Sequence, residues 1–450
     1  MIKRPYYLFK CFIYLAPLII MIFVISGCGQ DVEDPISSDD SKSSLFSIAG
    51  AIPWSDPVDD MDKGSIDSLK NRAIKIGLIL EADDLIDPFY GAELAMFEIN
   101  REGGAVVYPI KPPGKGIFPE NPINGNGIIG GFLGYPIALV IRDNKNDPAL
   151  SEEAALDLID KNGVVAIIGP GYSSSAMKVA QVAQRAGVPM VTTTATSPDV
   201  TSAGNYVFMA AFTDTFQGQV MARFAIESLK AQTAAIMTQE GDPYTEGLST
   251  FFENGFESLG GNIVSKQTFN QGDTDFTSQL EAIAEVAPEV IFMPGFTPEV
   301  PLAIKQARTI PQKNSSGISA TFLGGDGWVS PDLVALGGSE IEGSYYTTFF
   351  STNTTDANAR DFIKSYQSFI GASPTPEAAM GYDALKLVAT AIRRAGVVDK
   401  EAIRDQLAAT SGYLGATYIQ NYDANRHPIK NAVIMKIQNG RSQFYKQIEP

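Results

Sequence analysis

Two short stretches of this chain concentrate hydroxyl groups and backbone donors in a form that suits an anion. The first is Gly169-Pro170-Gly171-Tyr172-Ser173-Ser174-Ser175, which follows the apolar run Val164 to Ile168 and precedes a helical pattern. Hydroxyls and unpaired N–H groups at the start of a helix point towards negative charge, and a carboxylate fits such a site. Ordinary capping of a helix by one serine produces the same pattern. The second, Thr192-Thr193-Thr194-Ala195-Thr196-Ser197-Pro198, ends the next apolar run and offers hydroxyls beside the first, or forms only a turn and cap. Other chemistry is short of residues. His427 is the single histidine, and both cysteines, Cys11 and Cys28, lie within the first 28 residues. A Ser-His-Asp triad, a multi-histidine metal site and a cysteine nucleophile in the folded part are therefore not expected. Asp143, Asp147, Glu240, Asp242 and Asp326 could supply a carboxylate pair for hydrolysis, but nothing in their surroundings selects one.

These loops need a scaffold that brings strand ends together. From Ala73 onward, short β-branched runs alternate with amphipathic stretches. Strands are predicted at Ala73 to Leu80, Ile137 to Arg142, Val164 to Ile168 and Val188 to Val191, with helices at Tyr90 to Arg101, near Ser151 to Lys161 and at Ser174 to Arg185. The rhythm repeats after Thr213: strands near Ala234, Asn262, Val290 and Ala320 alternate with helices starting near Phe216, Tyr244, Phe276 and Pro298. Three helical stretches, Asp356 to Ile370, Pro376 to Ala395 and Lys400 to Ala408, follow without clear strands between them, which suits a return to the first lobe and closure of its sheet. The expected fold is α/β, with two Rossmann-like lobes, each a parallel sheet flanked by helices. Open parallel sheets bind ligands beyond the carboxyl ends of their strands, here Gly169 to Ser175, Thr192 to Ser197, Met293 to Thr297 and Gly324 to Gly327.

With 450 residues, 44% of them apolar, the chain can bury more than one core. Its net charge of −17 argues against a nucleic-acid surface. Much of the acidic excess lies between Asp31 and Asp67, so it describes a solvated tether better than a ligand site. Lys3 and Arg4, the apolar run Phe12 to Ile25 and then Ser26-Gly27-Cys28 form a charged, an apolar and a small-residue segment, the order of an export signal. Ile25-Ser26-Gly27-Cys28 resembles a bacterial lipobox, which implies lipidation of Cys28 and an exported chain held at the cell envelope. Residues 29–71 are expected to be a flexible spacer, and the Gly- and Pro-rich segment Tyr108 to Gly134 an insertion loop.

Taken in order, Ile168-Gly169 through Ser175, Val191 through Thr201, Tyr244-Thr245-Glu246-Gly247, Gly295-Phe296-Thr297-Pro298-Glu299 and Gly324-Gly325-Asp326-Gly327 resemble the leucine/isoleucine/valine-binding branch of periplasmic substrate-binding proteins, from Ile74 to the C-terminus. The resemblance implies that Ser173, Thr194 and Thr196 hold a ligand's α-carboxylate, Thr194 mainly through its backbone. It implies that Asp326 meets the α-ammonium where the family often has Glu, that Tyr90 flanks the ligand, and that Tyr244 and Phe296 close over it. Family members often carry Tyr at the Phe296 position; the missing hydroxyl leaves room for an amide, a urea-like solute or an aromatic acid.

The implied protein is a lipid-anchored binder of an amino acid or related small polar solute, monomeric and without cofactor or metal, that delivers its ligand to an ABC permease. A ligand sensor built on the same lobes and, more remotely, a hydrolase are the alternatives. The expected organisation is a signal peptide over 1–28, a tether over 29–71, a first lobe from 72–213 plus 345–428 and a second from 214–344 plus 429–450. Hinges are expected near Phe212 to Asp214, Gly343 to Thr348 and His427 to Asn431, as three crossing strands.

Overall fold

Alternation at a period of two decides which face of each strand meets which helices. In β1 (Ile74–Leu80), Ile76, Leu78 and Leu80 pack in the core that also takes Ala92, Leu94 and Ile99, whereas Ile79 joins Ala155, Leu158 and Val179 on the other face. A computed structural model supplies the architecture and describes residues 73–82, 86–101, 136–312 and 315–450. All of them belong to one compact unit. The export signal with Cys28, the tether and the Tyr108 to Gly134 segment lie outside the described residues.

The first sheet runs β2-β1-β3-β4-β5 and is parallel throughout. Its other strands are β2 (Ile137–Asp143), β3 (Ala166–Ile168), β4 (Met190–Thr192) and β5 (Val207–Met209). Helix α1 (Asp87–Arg101) follows β1, α2 (Pro148–Leu156) continues as a π-helical turn at Asp157–Lys161, and α3 (Ser173–Ala186) follows β3.

The second sheet runs β15-β14-β10-β9-β8-β6-β7. It is parallel across β6 (Thr233–Gln239), β7 (Asn262–Phe269), β8 (Val290–Phe292), β9 (Thr321–Gly324) and β10 (Tyr345–Thr348). The hairpin of β14 (Ala432–Ile437) and β15 (Ser442–Ile448) completes it antiparallel. Helices α4 (Asp214–Arg223) and α5 (Pro243–Ser258) cover one face through Val220, Leu248 and Phe252, while α6 (Thr277–Val286), α7 (Glu299–Ala307) and α8 (Pro331–Gly337) cover the other through Leu280, Ile304 and Leu333.

Helices α9 (Ala357–Ile370), α10 (Pro376–Ala395) and α11 (Lys400–Ala408) do return to the first sheet, where α10 packs on α1, β3 and β4. They add no strand to it. The late strands close the second sheet instead, because the β14 backbone pairs with β10. For the same reason Tyr345 to Thr348, expected in the first lobe, pair into the second sheet. A small antiparallel sheet, β11 (Ser411–Leu414), β12 (Tyr418–Tyr422) and β13 (Pro428–Ile429), lies beside β5, where the Tyr422 hydroxyl donates to Met209 O at 2.7 Å. His427 is half-buried there, with Nε2 2.8 Å from Thr201 Oγ1.

The chain thus passes between the two sheets three times, after β5, after β10 and after β13. Two passages are tied directly. Lys430, buried at the third, donates from Nζ to Ala210 O in the first at 2.7 Å and to Thr417 Oγ1 at 2.9 Å. Thr417 Oγ1 in turn donates to buried Asp383, which also accepts from the Tyr413 hydroxyl and the Ala416 and Thr417 N–H groups.

Candidate functional site

Helix α3 begins where β3 ends, and its cap position is Tyr172, whose side chain does not cap it. Asp147, Asp242 and Thr375 do cap α2, α5 and α10 through their side chains. The first N–H groups of α3 therefore present donors and a positive dipole end towards the cleft. The neighbouring loop after β4 is stitched to this turn: Ser173 Oγ accepts from Ser197 N at 3.2 Å and Thr194 Oγ1 donates to Gly171 O at 3.1 Å. Ser173, Thr194 and Thr196 are thus brought together, each at most 8% exposed.

Beneath the turn lies a carboxylate that the motifs did not single out. Glu81, at the end of β1 and 1% exposed, accepts from Asn144 Nδ2 at 2.9 Å and from Gly171 N at 3.3 Å. Burial outweighs these donors and pushes it up to about 7. A charged residue directly after Leu78-Ile79-Leu80 was the only signal of it.

On the second sheet, β9 ends in a tight turn, Asp326–Trp328, anchored by Trp328 Nε1, which donates to Met293 O at 2.9 Å. Gln217 on α4 holds Asp326 twice: its Nε2 donates to Asp326 Oδ1 at 2.7 Å and its Oε1 accepts from Asp326 N at 2.8 Å. The same Oε1 accepts from the Thr347 hydroxyl of β10, and Nε2 also reaches Asp214 Oδ1 at 3.2 Å. Tyr244 of α5 hydrogen-bonds Asp326, and its hydroxyl accepts from Gly327 N at 3.0 Å. Gly325 makes this clamp possible, since a Cβ there would come within 2.4 Å of the Tyr244 hydroxyl. Burial pushes Asp326 up to about 7, with the Gln217 bond opposing it. Asp214, fully buried, is pushed well above the carboxylate range by burial and then by the charge of Asp326; its Oδ2 accepts no hydrogen bond within the usual geometry.

Phe296 bridges the two sides. Its ring centroid lies 5.3 Å from Tyr172 of the first loop and 5.3 Å from Tyr244. Tyr90 stands half-buried on the first turn of α1, its ring 5.4 Å from Phe89. Tyr244, expected to lie over a ligand, is 4% exposed and has its hydroxyl engaged with the Asp326 turn, so it positions that turn. Of the acids considered for hydrolysis, Asp147 and Asp242 cap helices, and Asp143 accepts from Ala82 and Lys145 N–H groups. Among the described residues no group of His, Cys, Asp and Glu is arranged to hold a metal ion.

A first-sheet anion turn facing a clamped second-sheet carboxylate is the layout of a two-sided solute cleft. Residues 86–442 match the periplasmic binding protein family, and the chain belongs to it. It is a solute-binding protein of the type I periplasmic fold, a non-enzymatic class. Similar relatives include a leucine-, isoleucine-, valine-, threonine- and alanine-binding protein of Pseudomonas aeruginosa, 27% identical over 286 residues, or 63% of this chain and 74% of that one. The Leu/Ile/Val-binding protein homolog 3 of Brucella melitensis is 28% identical over 61% of this chain and 72% of that one. Among solved structures, the leucine-binding protein LivK of Thermotoga maritima is 32% identical with a TM-score of 0.72, covering 84% of this chain and 99% of that one. LivJ of Streptococcus pneumoniae, solved with isoleucine, is 28% identical with a TM-score of 0.71, covering 84% and 100%.

Proposed function

We propose that the chain captures an amino acid or a close relative in the cleft between its sheets and delivers it to an ABC permease, exported and held at the envelope through lipidated Cys28. The observation that carries this reading is the pairing of the uncapped α3 turn, suited to a carboxylate, with Asp326, suited to an ammonium. In this reading Ser173 and Thr196 hold the carboxylate and Thr194 contributes its backbone; the Thr194 hydroxyl is engaged with Gly171 O, and the Thr196 side chain, which hydrogen-bonds Asp214, must turn from it to reach the ligand. Tyr90 and Phe296 cover the ligand, and Tyr244 keeps Asp326 in place. Residues 73–213 with 349–429 form one lobe and 214–348 with 430–450 the other, which close about the three passages. Closure is driven by contacts the ligand makes only in the closed state. The relatives named for leucine, isoleucine and valine support the amino-acid class.

A thermal-shift screen of the full chain against amino acids, amides, urea derivatives and small aromatic acids tests this. A ligand at 100 times its dissociation constant adds about 2.7 kcal/mol to stability. An amino acid is expected to raise the melting temperature in wild type and to do so much less in Ser173→Ala. A shift with an aromatic acid alone, or none with any amino acid, contradicts the reading.

A further inference from the structure

A continuous run of hydrogen bonds joins the two halves of the cleft. Asp214 is the first residue of α4, directly after the first passage between the sheets. Its N–H donates to Thr196 O at 2.8 Å, in the loop that follows β4, and the Thr196 hydroxyl hydrogen-bonds its carboxyl group. Its Oδ1 accepts from Gln217 Nε2 at 3.2 Å, and the same Nε2 donates to Asp326 Oδ1 at 2.7 Å. The run is held rigidly. Asp214 and Gln217 are fully buried. A Cβ at Gly218 would lie 2.7 Å from Phe251 Cβ and 2.8 Å from Phe252 N, so only its absence lets α4 lie directly on α5. Gln217 Oε1 is engaged as well, by Asp326 N at 2.8 Å and by the Thr347 hydroxyl of β10. With both ends of its amide occupied, Gln217 cannot shift without breaking bonds to Asp214, Asp326 or Thr347.

A rigid link between two subsites sets a distance. A solute whose groups match that distance satisfies both subsites, and one that does not leaves a buried polar group unpaired. We propose that Asp214 and Gln217 are positioning residues that fix the separation between the carboxylate and ammonium subsites, so that the cleft selects α-amino acids over their β isomers, whose two charged groups stand one carbon further apart. This rests on the amino-acid reading above. Neither residue needs to touch the solute: Asp214 acts through Thr196, and Gln217 acts through Asp326. The rival role is structural alone, as the buried start of α4 and its packing on α5.

Calorimetric titration of the full chain with the α and β isomers of alanine, leucine, phenylalanine, lysine and glutamate separates these roles. Wild type is expected to bind the α member of at least one pair about tenfold or more tighter than the β member. Gln217→Met, which keeps the volume of the side chain and removes every amide bond, is expected to shrink that ratio to about threefold or less, because the subsites lose their preorganised spacing. Asp214→Ala should shrink it in the same direction, and Asp214→Asn, which keeps Oδ1 as an acceptor for Gln217, should restore it. A structural role alone lowers affinity for both isomers together and leaves the ratio unchanged, a result that overturns the inference. Binding of an α-amino acid with no preference over its β isomer in wild type also overturns it and leaves the amino-acid reading standing. Binding of no isomer in any pair removes the amino-acid reading and the inference with it. Should Gln217→Met not fold, the ratio in Asp214→Ala decides, and the wild-type preference needs no variant.

Discussion

Asp326→Asn is expected to weaken binding of the solute by roughly 30- to 4,000-fold, the cost of truncating one partner of a desolvated charge pair at about 2–5 kcal/mol. The same change should raise, not lower, the melting temperature of the unliganded protein at pH 8. Burial holds Asp326 at about 7 in the folded chain, above its ordinary 3.8, so its contribution to stability is present below the ordinary value and is lost as pH rises through about 7. Asparagine removes that loss. The groups facing Asp326 are Gln217 and Asp214 from α4, Tyr244 from α5 and Glu377 from α10; none supplies a positive charge to offset it. An ammonium ligand needs the ionised form, so affinity in wild type should fall between pH 8 and pH 6, and this dependence should flatten in the variant. Calorimetry at the two pH values and a melting curve without ligand check all three outcomes. An unliganded Asp326→Asn protein that melts lower at pH 8 would show that the carboxylate is not under strain.

Lys430→Met is expected to cost about 3 kcal/mol at pH 7 to 8, the lower end for breaking a buried charge pair. The lower end applies because Asp383 keeps its bonds from Tyr413, Ala416 and Thr417 after the lysine is gone. Burial lowers Lys430 to about 8, with the Asp383 charge opposing that fall, and burial raises Asp383. With the cation removed, Asp383 is pushed further up, and a carboxylate with a raised folded value stabilises the chain only below that value. The gap between variant and wild type should therefore narrow as pH falls from 8 to 5. The double variant Lys430→Met/Asp383→Asn should recover part of the loss, as coupled neighbours do. Because Lys430 ties the third passage to Ala210 in the first, scanning calorimetry of these variants also reports on the hinge. A gap that widens in acid would contradict the account.

The alternation of β-branched runs with amphipathic helices was legible for most strands from Ala73 to Leu323 because parallel strands buried on both faces read as continuous apolar segments, but β5 (Val207–Met209), only three residues long, was not expected. In Val290–Phe292 and Met190–Thr192 every residue is buried. The later strands were not legible. Ser411–Leu414 buries one residue in four and Ser442–Ile448 lies at a sheet edge, so neither carries a strong pattern. Tyr345–Thr348 has the aromatic and β-branched composition of a strand, but its membership of the second sheet is fixed by pairing with β9 and with β14, some 87 residues away in the Thr347–Ile434 register.

The site divides along the same line. Loops at strand ends are local features, and Gly169 to Ser175 and Gly324 to Gly327 announced themselves by composition. Gln217 did not. Gln217 grips Asp326 across 109 residues of sequence, and nothing around Thr213-Asp214-Thr215-Phe216-Gln217 distinguishes it from a polar helix residue. Its significance comes from the packing of α4 against the turn that ends β9, within the second sheet's own layer.

The central claim is that this cleft binds an amino-acid solute and leaves it unchanged. Calorimetric titration of the full chain with the best solute from the thermal screen, followed by recovery and mass analysis of that solute, tests it most directly. The account predicts one solute bound per chain, a negative heat-capacity change from closing the cleft, and complete recovery of the intact compound. Conversion of the solute, or saturation without heat and without any shift in melting temperature, would contradict it.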